Sequence, residues 1–168
     1  VQRAPLSQMT AEANKGVMME SRSFPSQGLT TRQMCGYIRM KGLELEYFTI
    51  RNNYAKVNRE FISLALKAYT PAGLPIIANL AMKKPDEPID YHAVVISGIA
   101  LSSDGRLSEI YVHDDRVGPY TSVFSDDGFL SWKYGKNGLS AWTEYSNIAL
   151  DSLIVPLYHK FRLPSLEI

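Results

Sequence analysis

The stretch HAVVISGIALSSDGRLSEIYVHDD, residues 92–115, restricts the possible folds more than any other part of the chain. Two apolar runs rich in β-branched residues flank Ser-Ser-Asp-Gly-Arg. An Asp-Gly pair tolerates the positive φ that a tight hairpin turn demands. The segment therefore reads as an antiparallel hairpin, and the turn length decides which side chains share a face. A two-residue loop on Asp104 and Gly105 pairs positions whose numbers sum to 209, which puts His92 on the face of His113 and Asp115. A three-residue loop, Ser103-Asp104-Gly105, gives a sum of 208 and puts His92 and Asp114 on one face. They would then be diagonal neighbours roughly 5–8 Å apart. The glycine placement suits the three-residue loop, and a bulge in either strand would reverse the choice.

The rest of the chain supplies the layers around this hairpin. Residues 7–20 read as a helix capped at Ser7 and weakened by Gly16. A second helix follows the Pro25-Ser26-Gly28 turn. Thr30 or Thr31 can cap it, Met34, Ile38 and Met40 are its apolar positions, and Gly42 is its stop. Residues 43–50, LELEYFTI, alternate as a strand does. Asn58 is a candidate cap for a helix in which Phe61, Leu64, Ala65 and Ala68 recur at helical spacing, ended by Pro71 and Gly73. From Leu74 onward the pattern is that of strands: LPIIANLAM, the two hairpin strands, PYTSVF and DSLIVPLY. Residues 125–147 read as a long decorated loop. Helices first and an antiparallel sheet afterwards define an α+β fold. We expect a single domain over 1–168, mainly helical over 1–70 and mainly antiparallel sheet over 71–168.

Composition excludes several function classes. With 168 residues, 45% apolar and 21% charged, the chain is long enough for a sizeable core and has ordinary soluble character. A net charge of +1 gives no reason to expect nucleic acid or an anionic membrane as partner, and no apolar run reaches the length of a membrane span. The one cysteine, Cys35, rules out an internal disulfide framework and points to a reducing, cytoplasmic setting.

A histidine beside a carboxylate has a defined chemistry. The carboxylate orients the ring through one nitrogen and stabilises the imidazolium, while the other nitrogen takes a proton from a nucleophile. His92 is the candidate base, and Asp114, with Asp115 as second choice, is the candidate orienting group. A metal on His92, His113, Asp114 and Asp115 is not expected, because His113 and Asp114 are strand neighbours and point to opposite faces. No cofactor is expected either. Trp132, Tyr134, Trp142 and Tyr145 read as a loop that covers a sheet edge or lines a peptide groove. Lys83, Lys84, Asp86, Glu87 and Asp90 read as a solvated loop.

PIIANLAM, HAVVISGIA and IYVHDDRVGPY together resemble the sheet half of papain-like cysteine peptidases. The resemblance is greatest to the bacteriocin-processing (double-glycine leader) peptidase family and its uncharacterised bacterial relatives. That family has a histidine opening a Val-rich strand that ends in Gly, matching His92 and Gly98. It then has a strand ending in Asp and, a few residues on, a Gly, matching Asp114 and Gly118. The family usually has Pro where this chain has Asp115. SQGLTTRQMCGYIRMKGLELEY is similar to its second helical segment. The resemblance implies an amide or peptide bond hydrolase acting on a peptide or protein. It also implies a nucleophilic Cys at the start of an early helix, preceded by an oxyanion-hole Gln. Residues 1–23 hold Gln2 and Gln8 but no cysteine. Cys35 falls in the second helical segment and reads as a buried structural residue, an unlikely nucleophile. The chain starts at Val1, so two expectations arise: a longer enzyme whose Cys-bearing segment lies upstream, or a relative that has lost its nucleophile. In either case this chain alone is expected to be inactive. The alternative is a non-catalytic peptide- or protein-binding module on the same fold.

Overall fold

The structure is a computed structural model and describes residues 29–50, 55–124, 131–134 and 142–157. The helix expected over 7–20, Gln2 and Gln8 lie outside these residues. The described elements run α1 (Thr31–Met40), β1 (Glu44–Thr49), α2 (Ala55–Tyr69), β2 (Ile76–Lys83), β3 (Asp90–Leu101), β4 (Leu107–Asp114), β5 (Gly118–Phe124), β6 (Lys133–Tyr134) and β7 (Asn147–Leu157). The fold is α+β, with two helices ahead of a mostly antiparallel sheet. No helix among the described residues is long and apolar enough to cross a membrane.

The chain divides into two compact units, Val1–Glu46 with Pro156–Ile168, and Tyr47–Val155. In the first, Thr30 caps α1 through a reciprocal capping box. Its hydroxyl accepts from Gln33 N at 3.2 Å, and the Gln33 side chain accepts from Thr30 N at 2.9 Å. Gly42, at φ +84°, ends the helix, with its N–H donating to the Arg39 carbonyl and that of Leu43 to the Ile38 carbonyl. The buried positions of α1 are Gln33 and Tyr37, whereas Met40 is exposed. Of the expected stripe, Met34 and Ile38 are half-buried and Met40 is exposed, so the buried face is displaced towards Gln33 and Tyr37. Cys35 is only half-buried, less than expected.

The second unit holds the sheet, in the order β1-β7-β2-β3-β4-β5-β6, with β1 represented by Tyr47–Thr49 and β7 by its residues up to Val155. Helix α2 begins at Ala55, so Asn58 lies inside it and not at its cap. Ala and Lys favour helix, which lets the helix start ahead of the polar residue. Its core face is Ile62 and Leu66, with Ala65 and Tyr69 packed alongside, while Phe61 and Leu64 are exposed. Two stripes one residue apart both satisfy helical spacing, and only packing on the sheet chooses between them. β7 starts at Asn147, earlier than expected, and residues 125–147 contain the short strand β6, paired with β5 at Val123–Tyr134 and Phe124–Lys133.

The hairpin closes through the three-residue loop. Ser102 N donates to Arg106 O at 2.8 Å, and Gly105 sits at φ +76°. The register then shifts twice. Leu101 faces Leu107, but Ala100 faces Glu109 and Gly98 faces Tyr111, which leaves Ser108 as an extra residue on β4. Beyond that, Ile96 faces Val112 and Val95 faces His113, with Ser97 the extra residue on β3. The Ser97 hydroxyl donates to the Tyr111 carbonyl at 3.3 Å. One bulge on each strand cancels the other, so the register set at the turn is restored at the far end.

On β2 and β3 the core face carries Ala78 and Leu80 opposite Val94 and His92. Leu80 is fully buried directly across from His92. Leu80→Ala should destabilise the protein by about 3 kcal/mol in urea unfolding, because Leu80 is fully buried and its truncation leaves a cavity in the core. A loss below about 1 kcal/mol would show that this region is not packed.

Candidate active site

Alternation and register together place the candidate residues. His92 precedes Val94 by two positions on β3, and Asp114 follows Val112 by two on β4. Because Ile96 faces Val112, both side chains fall on the core face. His113 pairs with Val95 and takes the opposite face. The Asp114 side chain has no exposed surface, that of His92 is 19% exposed, and Nε2 of His92 lies 3.2 Å from Asp114 Oδ1. Asp115 lies beyond the end of β4, where alternation no longer applies. Its carboxylate bends back to 3.6 Å from the same Nε2, yet it is 86% exposed. Both candidate carboxylates thus reach His92, one from inside the fold and one from solvent.

Asp114 is held in place by the fold. Its Oδ1 accepts the Arg116 backbone N–H at 2.9 Å, a local turn of the kind Asp favours. Its Oδ2 accepts the Tyr134 hydroxyl at 2.7 Å. Gly118, at φ +125°, brings the chain back so that β5 pairs with β4 at Asp114. Burial pushes the Asp114 carboxyl up. The contact with His92 and the bonds from Tyr134 and Arg116 outweigh it, and the carboxyl is held down at about 2. For Tyr134 burial comes first and the bond to Asp114 second, and both push its hydroxyl well above the usual tyrosine range.

The His92 ring makes an unusual contact. Nε2 is buried and 3.2 Å from Asp114 Oδ1, but the contact is not an in-line hydrogen bond. The other ring nitrogen, Nδ1, has no protein partner among the described residues. The ring packs against Trp142, centroids 4.8 Å apart. The Arg116 guanidinium lies 4.5 Å from the Trp142 centroid and pairs with Glu144 at 2.8 Å. Tyr145 stands 5.8 Å from Trp142, donates its hydroxyl to Asp90 at 3.0 Å and has Lys84 above its ring.

Several of these residues were missed or misread in the sequence. Trp132, Tyr134 and Trp142 are buried in the core cluster, so they are not merely a cover for a sheet edge. Lys84 and Asp90 belong to a paired network against Tyr145 and are not simply solvated. Arg116 and Glu144 were not singled out. The density of aromatics was the available signal, but nothing in it tells which ring meets which charge. Cys35 lies in the second turn of α1, past the capped N-terminus, where burial pushes its thiol up, opposite to an activated nucleophile. The chain matches no protein-family model and no curated protein sequence.

Asp114 supplies a pH signature. Its folded value of about 2 lies below the ordinary 3.8, so folding favours the carboxylate. The stabilisation is complete above about pH 4 and is lost as pH falls through about 2. Comparing urea midpoints at pH 5 and pH 2, the wild type should lose on the order of 2 kcal/mol more than Asp114→Asn. Tyr134→Phe should remove part of that difference. Identical acid profiles for wild type and Asp114→Asn would refute this account of the site.

Proposed function

We propose that the chain is a cysteine-peptidase-like domain of papain-like fold, in which His92 is the general base and acid for amide bond cleavage and Asp114 orients it. The observation that carries the reading is the placement of Nε2 beside a buried, pre-fixed carboxylate, with Nδ1 left to exchange protons. A carboxylate locked by two donors before the histidine arrives behaves as a positioning device, since it need not reorganise when the ring becomes charged. Trp142 walls one face of the ring. The substrate would be a peptide or protein.

The thiol is the open element of this mechanism. General-base catalysis needs a cysteine within reach and donors for the oxyanion. Cys35 has neither the helix-start position nor the lowered thiol that such chemistry uses. That same observation favours a second reading, a binding module on the same fold that holds a peptide without cleaving it.

Two measurements test the proposal. In chelator-treated protein labelled with nitrogen-15, neutral His92 should be the Nε2–H tautomer, and Asp114→Asn should shift it towards Nδ1–H. A wild-type ring already protonated on Nδ1 would sink the general-base role. Iodoacetamide should label Cys35 no faster than a free thiol, and His92→Ala should leave that rate unchanged. Fast labelling that His92→Ala abolishes would make Cys35 the nucleophile. In protein expressed from its complete reading frame, hydrolysis that His92→Ala lowers by about a hundredfold or more supports the enzyme. Peptide binding without hydrolysis supports the module.

A further inference from the structure

The hydrolase reading uses Asp114 and leaves Asp115 without a task. We propose that His92, Asp114 and Asp115 form a binding site for one divalent transition-metal ion of the zinc class. This stands on geometry alone and does not depend on the hydrolase reading. One donor atom from each residue lies within 4.8 Å of the others. Nε2 is 3.2 Å from Asp114 Oδ1 and 3.6 Å from Asp115 Oδ1. An ion about 2.1 Å from each of two ligands, at angles between square and tetrahedral, sets those ligands about 3.0–3.4 Å apart. The two separations from Nε2 are close to that spacing, and the carboxylate oxygens, within 4.8 Å of each other, come to it by movement of Asp115, which lies on an exposed turn.

The second observation is independent of the carboxylates. Nε2 is fully buried and has no hydrogen-bond partner, although an oxygen stands 3.2 Å away. Nε2 lies within 3.6 Å of both carboxylates without an in-line bond to either, the position a ligand atom takes when an ion replaces its proton. Asp114 also has the support that metal ligands receive, from the Tyr134 hydroxyl on Oδ2 and the Arg116 N–H on Oδ1. The nearby Arg116 guanidinium is paired with Glu144, which limits its repulsion of a cation.

One nitrogen and two oxygens suit Zn²⁺ or Co²⁺, with water completing the shell, better than Mg²⁺, which prefers oxygen alone. Binding replaces the proton on Nε2 and releases it to solvent. The loaded histidine is then a neutral ligand, so metal binding and the orientation of Nε2–H by Asp114 exclude each other. The sequence argued against a metal through the opposed faces of His113 and Asp114. That argument removes His113 but not Asp115.

The test is titration of the metal-stripped 168-residue protein with ZnCl₂ by calorimetry, with Co²⁺ absorption as a second readout. We expect one Zn²⁺ per chain, loss of binding in His92→Gln, and affinity about tenfold or more lower in Asp115→Asn. His113→Gln should bind as the wild type does, and millimolar Mg²⁺ should not compete. Asp115 is exposed, so its variant reads the site even if His92→Gln does not fold. Absence of Zn²⁺ binding at millimolar concentration, or binding unchanged in Asp115→Asn, overturns the proposal. Neither result bears on the His92 tautomer, which is measured in chelator.

Discussion

A carboxylate buried on the core face of a sheet is the constraint around which this site is built. Asp114 stands where a strand would ordinarily place an apolar residue, two positions after the fully buried Val112. An isolated charge there would cost several kcal/mol, and the ordinary escape is protonation. The fold instead keeps it ionised with a hydroxyl, a backbone N–H and an imidazole. Those partners come from β6, from the turn after β4 and from β3. Together they tie both strands of the hairpin at its open end, and the sheet edge beyond it, to one side chain.

The strand register is what makes the meeting possible. A slip of one residue between β3 and β4 would exchange Asp114 for His113 on the face that His92 occupies. The hairpin tolerates two bulges, but they lie on opposite strands and cancel. The glycine between them lies against Tyr111, whose ring a Cβ on Gly98 would meet at 3.4 Å, the near edge of ordinary van der Waals contact. The irregular middle of the hairpin therefore leaves the alignment at the His92–Asp114 end unchanged. His92 meets one carboxylate that is buried and one that is exposed, and the two proposals divide on this: the hydrolase reading uses Asp114 alone, the metal site both.

The His–Asp pair was legible in the sequence because it depends on local rules. A turn signal, a count of residues and strand alternation suffice to bring His92 and Asp114 to one face. What surrounds the pair was not legible. Tyr134 lies 20 positions from Asp114 and reaches it only because β6 closes on β5. Trp142 and Arg116 meet over a ring contact that no periodicity encodes. The apolar stripe of α2 was read one residue off, since a helix of that composition carries two plausible faces and the sheet decides which is buried.

By itself the sequence determined the α+β class, the hairpin with a preference for its three-residue turn, the capped start and glycine stop of α1, and the candidate pair. These follow from short-range sterics, in which glycine, proline and alternation act over a few residues. The tertiary structure alone decided between Asp114 and Asp115 as the buried partner, brought Asp115 back to the same nitrogen, and kept the Asp114 carboxylate charged. The reason is physical. Burial, pKa and the meeting of side chains distant in sequence depend on what the packed chain excludes from water, and no local pattern carries that information.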